Sequence, residues 1–390
     1  MKILHVDPFF SPVHGGSAVA AYYLSKKLAE SGHDVTFFTS NSQISQDWID
    51  GSPQIKLHPF KTWLRARTLY VTPGIIRAAR EMVKSFDIIH MHNFRTYHNV
   101  VVAYYAKKYG VPYILQGHGS LPRQVSLRNV KWFYDVAFGY DLLRRASSVV
   151  ALTPTESRQY EEMGFPKEKI KIIPNGIDLS EYRELPQTGC FRSNFSINND
   201  EKIILFIGRI HAIKGLYILV KAFADLRAKA VKLVIIGPDD GYLGNLRSLI
   251  THLKIDNKVL VLPAMYGKDK LAAYVDSDVV VLPSYYETFP MVILEAFACA
   301  KGVVASNVES IHQIVRHGKT GLLFQSGNPQ ELRRCLLYLL GHPQEAKAMG
   351  LKAYNVVTHE FSTDTVASAF ISLYESLSHK HDNIGTSIGS

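Results

Sequence analysis

Two glutamates, Glu287 and Glu295, stand with seven residues between them in a segment otherwise dominated by apolar side chains. Glu287 follows the run Val279-Val280-Val281-Leu282-Pro283-Ser284, which reads as a buried strand and its exit turn. Glu295 interrupts the helical pattern Met291-Val292-Ile293-Leu294-Glu295-Ala296-Phe297-Ala298. Pro290 suits a first helical position, because its ring fixes φ and its missing N–H has no partner there in any case. A carboxylate buried in an apolar helix is costly unless something binds it. Carboxylates accept hydrogen bonds from hydroxyls, and a helix N-terminus favours an anion. The ligand described by these features carries many hydroxyls and a phosphate, as a nucleotide sugar does.

Cations and glycines at other strand exits fit such a ligand. In Gly208-Arg209-Ile210-His211-Ala212-Ile213-Lys214-Gly215, an arginine and a lysine five residues apart can meet a diphosphate, Arg as a fork and Lys as a point charge. Ordinary surface charge is the alternative. The loop Asp7-Pro8-Phe9-Phe10-Ser11-Pro12-Val13-His14-Gly15-Gly16-Ser17 brings two glycines to a helix start, where they serve a tight turn or aim N–H groups at an anion. A GxGxxG dinucleotide fingerprint is absent from the chain. His118 follows the strand pattern ending in Gln116-Gly117, at the edge of an α/β sheet where ligands bind. His90-Met91-His92 offers two metal ligands without a third, and Asp276-Ser277-Asp278 lies at a strand entry, so both read as structural and no metal is expected.

The two glutamates, placed after Pro283-Ser284 and before Glu295-Ala296-Phe297-Ala298 with its Lys301-Gly302 close, resemble the signature of retaining glycosyltransferases of family 4 (GT4). The resemblance runs from Lys2 to about Tyr374. It implies an α/β chain of the GT-B fold, two Rossmann-like doubly wound domains facing each other across a cleft. It also implies a metal-independent hexosyltransferase that takes a UDP- or GDP-linked sugar as co-substrate and needs no other cofactor. In that reading Glu295 accepts from ribose hydroxyls, Arg209 and Lys214 grip the diphosphate, and Glu287 accepts from sugar hydroxyls. Backbone amides in the segment from Phe289 to Met291, on either side of Pro290, meet the phosphate, Gly16 borders it, and Met265 lies beside the nucleobase. Gly15, Gly16, Asn93 and His118 line the acceptor side, with His118 facing the transferred sugar. The chain departs from the family pattern at Glu309-Ser310 and Gln313, and at Leu262-Pro263-Ala264-Met265-Tyr266, which lacks the usual glycine. Base preference therefore does not carry over. The segment Gly117-His118-Gly119-Ser120-Leu121-Pro122 is similar to transferases that build bacterial surface polysaccharides on lipid-diphosphate carriers. That similarity implies a lipid-linked saccharide acceptor at the inner face of the cytoplasmic membrane. A nucleotide-sugar 2-epimerase of the same fold is the competing function.

The elements that must position these residues alternate between β-rich runs and helical patterns, which argues for parallel sheets covered on both faces. Strand patterns fall near residues 2–6, 34–39, 55–59, 87–92, 112–116, 148–152 and 171–174. A second series follows at 202–207, 232–237, 258–262, 278–283, 302–306 and 321–324. Between them, residues 179–200 lack periodicity and read as a linker. The expected domains are residues 1–185 with a returning helix at 360–378, and residues 200–359, followed by a frayed polar tail at 379–390.

With 390 residues and a mean hydropathy of -0.01, two globular domains are the natural expectation. No apolar run approaches the ~20 residues that span a bilayer, and residues 1–7 are too short for a signal peptide. Three cysteines favour a reduced, cytoplasmic setting. Residues 1–190 hold 23 Lys and Arg against 16 Asp and Glu, so most of the net charge of +10 lies in the first half. The stretch from Lys56 to Lys84 interleaves basic residues with Trp63, Leu64, Leu69, Tyr70, Ile75 and Ile76. It reads either as a surface for anionic lipid or as a solvated helix face with its apolar side in the core. No nucleic-acid motif is present.

Overall fold

Runs of Val, Ile, Leu and Phe that are apolar on both faces suit strands buried between two helical layers, and central strands of the second sheet are such runs. The computed structural model describes residues 1–66, 69–122, 128–226 and 230–385. The chain divides into two units, Met1–Gly176 with Thr363–Ser390, and Ile177–Ser362.

The first unit holds strands β1 (Lys2–Val6), β2 (Asp34–Ser40), β3 (Lys56–Phe60), β4 (Leu64–Ala66), β5 (Leu69–Val71), β6 (Ile88–His92), β7 (Tyr113–Gln116), β8 (Ser148–Ala151) and β9 (Ile170–Ile172). Seven of them form a parallel sheet in the order β3-β2-β1-β6-β7-β8-β9. Alternate side chains divide between two cores. Ile3, Phe37, Ile88, Ile114 and Val150 pack with residues of the helices Gly16–Glu30 and Thr363–Gly385. Leu4, Phe38, Ile89, Met91, Leu115 and Val149 pack with residues of the helices Gly74–Met82, Tyr97–Tyr109 and Tyr140–Arg145. Each fully buried Leu, Ile, Phe or Met side chain contributes about 1.5–3 kcal/mol.

The second unit holds β10 (Lys202–Ile207), β11 (Val231–Ile236), β12 (Val259–Leu262), β13 (Val279–Leu282), β14 (Val303–Ser306) and β15 (Gly321–Phe324), parallel in the order β12-β11-β10-β13-β14-β15. Both sheets are doubly wound. Strand order reverses between β1 and β6 in the first and between β10 and β13 in the second, and the crevice at such a reversal is where ligands bind in open α/β sheets.

Three expectations change. Residues 179–200 pack on the second unit, because Asp276 accepts from the amides of Gly189 (2.6 Å) and Arg192 (3.0 Å) and so caps the short helix Cys190–Asn194. The partner Asp278 is bound by Arg192, Lys202 and the Ile203 amide, so the Asp276-Ser277-Asp278 motif is consumed in structure. The last helix runs on to Gly385, where the sequence suggests a frayed tail from 379; no proline or glycine interrupts residues 363–384, so the helix propagates. Residues 386–390 of that tail lie outside the described residues. The basic stretch after Lys56 contains an antiparallel β4–β5 hairpin, with Tyr70 and Ile75 in the core and Trp63, Leu64 and Ile76 exposed.

Candidate functional site

At the switch point of the second sheet, the exits of β10 and β13 are joined. The Tyr285 amide donates to the Ile213 carbonyl (2.9 Å), and Gly215, at φ +67°, lies so close to Pro283 that a Cβ there would sit 2.0 Å from the Pro283 carbonyl oxygen. Only glycine fits. This contact delivers Lys214 to Glu287: Lys214 Nζ lies 2.7 Å from Glu287 Oε1, with the two side chains only 16% and 9% exposed. Ser284 donates to the same oxygen (2.6 Å), and Ser310 donates to the Glu287 carbonyl (2.7 Å). The departure from the family pattern at Ser310 thus anchors the loop that carries Glu287. Glu287 Oε2 has no protein partner among the described residues and stays open to a ligand hydroxyl.

Glu295 is held differently from expectation. Lys270 donates to its Oε1 (3.0 Å) and Tyr274 to its Oε2 (2.8 Å), so the buried charge is offset within the protein. Burial works against the Lys270 ammonium, but the Glu295 carboxylate outweighs it and raises the lysine above its ordinary value. Both oxygens retain acceptor capacity for ligand hydroxyls. Lys270 and Tyr274 were missed in the sequence, although their i, i+4 spacing on the helix Gly267–Asp276 was a usable signal.

The two cations of the Arg209–Lys214 segment take different partners: Arg209 is exposed and pairs with Asp240 after β11, whereas Lys214 pairs with Glu287. Pro290 is the N-cap of the helix Met291–Ala298, one position before the expected first turn. Phe289 and Met291 are buried, Phe289 against Phe361, which leaves their amides and not their side chains for a ligand. Met265 is half-buried in the loop after β12.

In the first unit, the exits of β1, β6 and β7 bring the acceptor-side candidates onto one edge of the sheet. Gly15 (φ +91°) is the N-cap of the helix Gly16–Glu30. Asn93 (φ +61°) and His118 (φ +50°) both adopt the left-handed conformation, which costs a non-glycine residue about 1–2 kcal/mol unless its surroundings impose it. They do impose it. Asn93 donates to Asp7 (3.2 Å), and its carbonyl accepts from Asn99 (2.6 Å). The loop of His118 is pinned by Glu156, which accepts from the amides of Gly119 (2.6 Å) and Leu152 (2.8 Å). Burial raises Glu156 to about 7, with those two amides pulling it back.

Behind His118 lies a row of imidazoles that the sequence only half revealed. The parallel register pairs His5 with His90, so β1 adds a third histidine to His90 and His92. Three ligand atoms of His5, His90 and His92 lie within 4.8 Å of one another, a donor set of the kind zinc accepts. The rings also bond to one another and their neighbours. His118 Nε2 lies 3.0 Å from His92 Nδ1, His92 Nε2 lies 2.9 Å from His5 Nδ1, and His90 Nδ1 lies 2.7 Å from the Tyr374 hydroxyl. Burial pushes His5 and His118 down to about 3 and His90 and His92 well below the ordinary histidine value, so the row is neutral at pH 7.

Asp7, at the start of the same edge, is fully buried. Burial raises it to about 8, and the Phe9 amide and Asn93 offset only part of that. A carboxyl whose folded value exceeds its unfolded value stabilises the fold below pH ~4 and loses that contribution as pH rises through about 8. Asp7→Asn removes the titration while keeping an acceptor for both N–H groups. Its Tm, compared with wild type, is therefore expected to gain steadily between pH 4 and pH 8; parallel Tm profiles for the two proteins would contradict the assignment.

Residues 14–181 match the model of Glycosyltransferase Family 4, and residues 190–356 match that of glycosyl transferases group 1. The N-acetyl-alpha-D-glucosaminyl L-malate synthase of Bacillus anthracis is 26% identical over 376 residues, covering 93% of this chain and 94% of that one. The D-inositol 3-phosphate glycosyltransferase of Kineococcus radiotolerans is 26% identical over 395 residues, covering 90% and 88%. The crystal structure of Anabaena HepE with UDP-glucose superposes with a TM-score of 0.81 at 22% identity, over 96% of this chain and 100% of that one. With one model on each of its two doubly wound sheets, the chain belongs to glycosyltransferase family 4 and has the GT-B fold.

Proposed function

We propose that this glycosyltransferase moves a sugar, with retention of anomeric configuration, from a nucleotide diphosphate to a hydroxyl acceptor. The observation that carries the reading is the pairing of Lys214 with Glu287 at the β10–β13 switch point, with one carboxylate oxygen left open. Glu287 accepts from hydroxyls of the transferred sugar, and Glu295, steadied by Lys270 and Tyr274, accepts from the ribose. Lys214 meets the diphosphate, where negative charge develops as the glycosidic bond breaks. The amides of Phe289 and Met291 lie at the same phosphate. Arg209 joins it by leaving Asp240, which its exposed position permits. Met265 borders the base.

The acceptor enters past Gly15, Gly16 and Asn93, and His118 donates or accepts one hydrogen bond at the sugar. Attack comes from the face the diphosphate leaves, so a departing phosphate oxygen takes the acceptor proton. Every imidazole near His118 is neutral and buried, which suits a hydrogen-bonding role better than that of a charged acid. The relatives' names, a glucosaminyl malate synthase and an inositol phosphate glycosyltransferase, describe sugar transfer to compounds that bear hydroxyls. For this chain the acceptor is a lipid-linked saccharide of surface polysaccharide synthesis, reached at the inner face of the cytoplasmic membrane. No helix of the described residues is long and apolar enough to cross a membrane.

Thermal-shift titration with UDP, GDP and ADP tests the donor half. Saturation at 100 times Kd contributes about 2.7 kcal/mol, and UDP or GDP is expected to raise Tm accordingly. No shift with any of the three would overturn the reading. Incubation with a nucleotide sugar alone separates the competing function: a transferase returns the sugar intact, whereas an epimerase inverts it at C2.

A further inference from the structure

The helical stretch 128–145 is turned inside out as far as Tyr140. It comprises the helix Arg128–Tyr134, a π-helical turn Asp135–Gly139 and the helix Tyr140–Arg145. A surface helix ordinarily sets its apolar stripe on the core and its polar residues in water. Here, through the first three turns, the inward positions are Asp135 and Gly139, with Lys131 and Tyr134 half-buried. The outward positions are Val130, Trp132, Phe133, Val136, Phe138 and Tyr140, all exposed, Phe133 to 67% and Trp132 to 53%.

Polar contacts hold the inverted arrangement in place. Arg95 forks onto Asp135, with Nε 2.7 Å from Oδ1 and a terminal nitrogen 2.8 Å from Oδ2. Tyr134 donates to the Thr96 carbonyl (3.0 Å), and Lys131 to the Pro122 carbonyl (3.1 Å). Gly139 lies against the Phe94 ring, where a Cβ would come within 2.9 Å. Six large apolar side chains in eleven residues form a patch that a chain surrounded only by water has no reason to expose.

We infer that this face docks on an anionic lipid bilayer. Charge selects that occupant. Basic residues outnumber acidic ones among the charges exposed on the stretch, Arg128, Arg144 and Arg145 against Asp141, and Lys107 and Lys108 are exposed on the helix Tyr97–Tyr109, which packs on Tyr140–Arg145. Asp135 is neutralised by Arg95, and Asp141 offsets only one of its two partners Arg144 and Arg145, so the exposed face keeps a net positive charge. Anionic headgroups satisfy the cations while the aromatic rings enter the boundary between headgroups and acyl chains, the position Trp and Tyr prefer. A second copy of the chain is a poorer occupant, because a two-fold contact would set this basic rim against itself.

The face is also tied to the acceptor side. Arg95, which binds Asp135, donates to the Ser120 and Leu121 carbonyls, just after His118. A lipid-anchored acceptor would therefore reach His118 from the surface on which the protein rests. That purpose rests on the transferase reading, whereas the docking surface itself does not.

Flotation of the full chain with vesicles tests the inference, using equimolar phosphatidylglycerol and phosphatidylcholine against phosphatidylcholine alone. Wild type is expected to float with the anionic vesicles. The exposed double variant Trp132→Ser, Phe133→Ser is expected to lose about tenfold or more in partition coefficient while keeping its Tm. In a Trp63→Phe background, Trp132 emission is expected to shift to the blue on vesicle addition, since Trp48 is already buried. Equal flotation of variant and wild type, no flotation of wild type, or a dimer abolished by the double substitution would each overturn the inference. Nucleotide thermal shifts measured in parallel keep the two claims apart: their absence in a protein that floats sinks the transferase reading alone.

Discussion

Lys214→Ala is expected to lower kcat/KM for sugar transfer by about 10²–10³-fold, with Glu287→Ala falling in the same range. Lys214 pairs with Glu287 Oε1, and its charge is worth most when the diphosphate departs in a dry site. The loss should appear in both KM and kcat for Lys214→Ala, because the ammonium meets the diphosphate in the bound donor and more strongly as charge develops on departure. Glu287→Ala removes a hydroxyl acceptor and also frees Lys214 and Ser284. The double variant should therefore be no worse than about the poorer single one, since residues acting as a unit are not additive. Steady-state kinetics of the four proteins of this cycle decide the point. Additive losses would show that the two groups act independently.

The second large effect is structural. Asp135→Ala leaves the Arg95 guanidinium buried without its carboxylate, and breaking such a pair costs about 3–5 kcal/mol. Chemical denaturation should show that loss as a drop in midpoint with little change in slope. Asp135→Asn, which keeps an acceptor, should lose less. A cost near zero for Asp135→Ala would mean that the inverted helix is held by something other than this fork.

How much of this was legible in the sequence follows from what each residue touches. The strands were legible because a strand buried on both faces is a continuous apolar run. Val279 to Leu282 and Lys202 to Ile207 announce themselves without any tertiary information. Lys214 and Glu287 stand out in the sequence as a cation and an acid at two strand exits, but their direct pairing depends on the contact between those exits and was not named from sequence. The inverted part of this helical stretch, residues 128–140, was not legible. Periodicity identifies a helix by the side it buries, and this one buries Asp135 and Gly139 and leaves Trp132 and Phe133 in the open. His5 was missed as a partner of His90 and His92 because its proximity depends on strand register, which separates the pair by 85 positions in sequence and by one strand in space. Arg209 was placed with Lys214 on spacing and on the family's Gly-Arg…Lys-Gly pattern, and its pairing with Asp240 from the neighbouring strand exit was not legible.

The donor-site assignment is tested most directly by calorimetric titration of UDP and GDP into wild type, Lys214→Ala, Glu295→Ala and His118→Ala. One saturable site is predicted in wild type, weakened about tenfold or more by the first two substitutions and unchanged by His118→Ala. Nucleotide affinity that ignores Lys214 and Glu295, or that vanishes with His118, would contradict it.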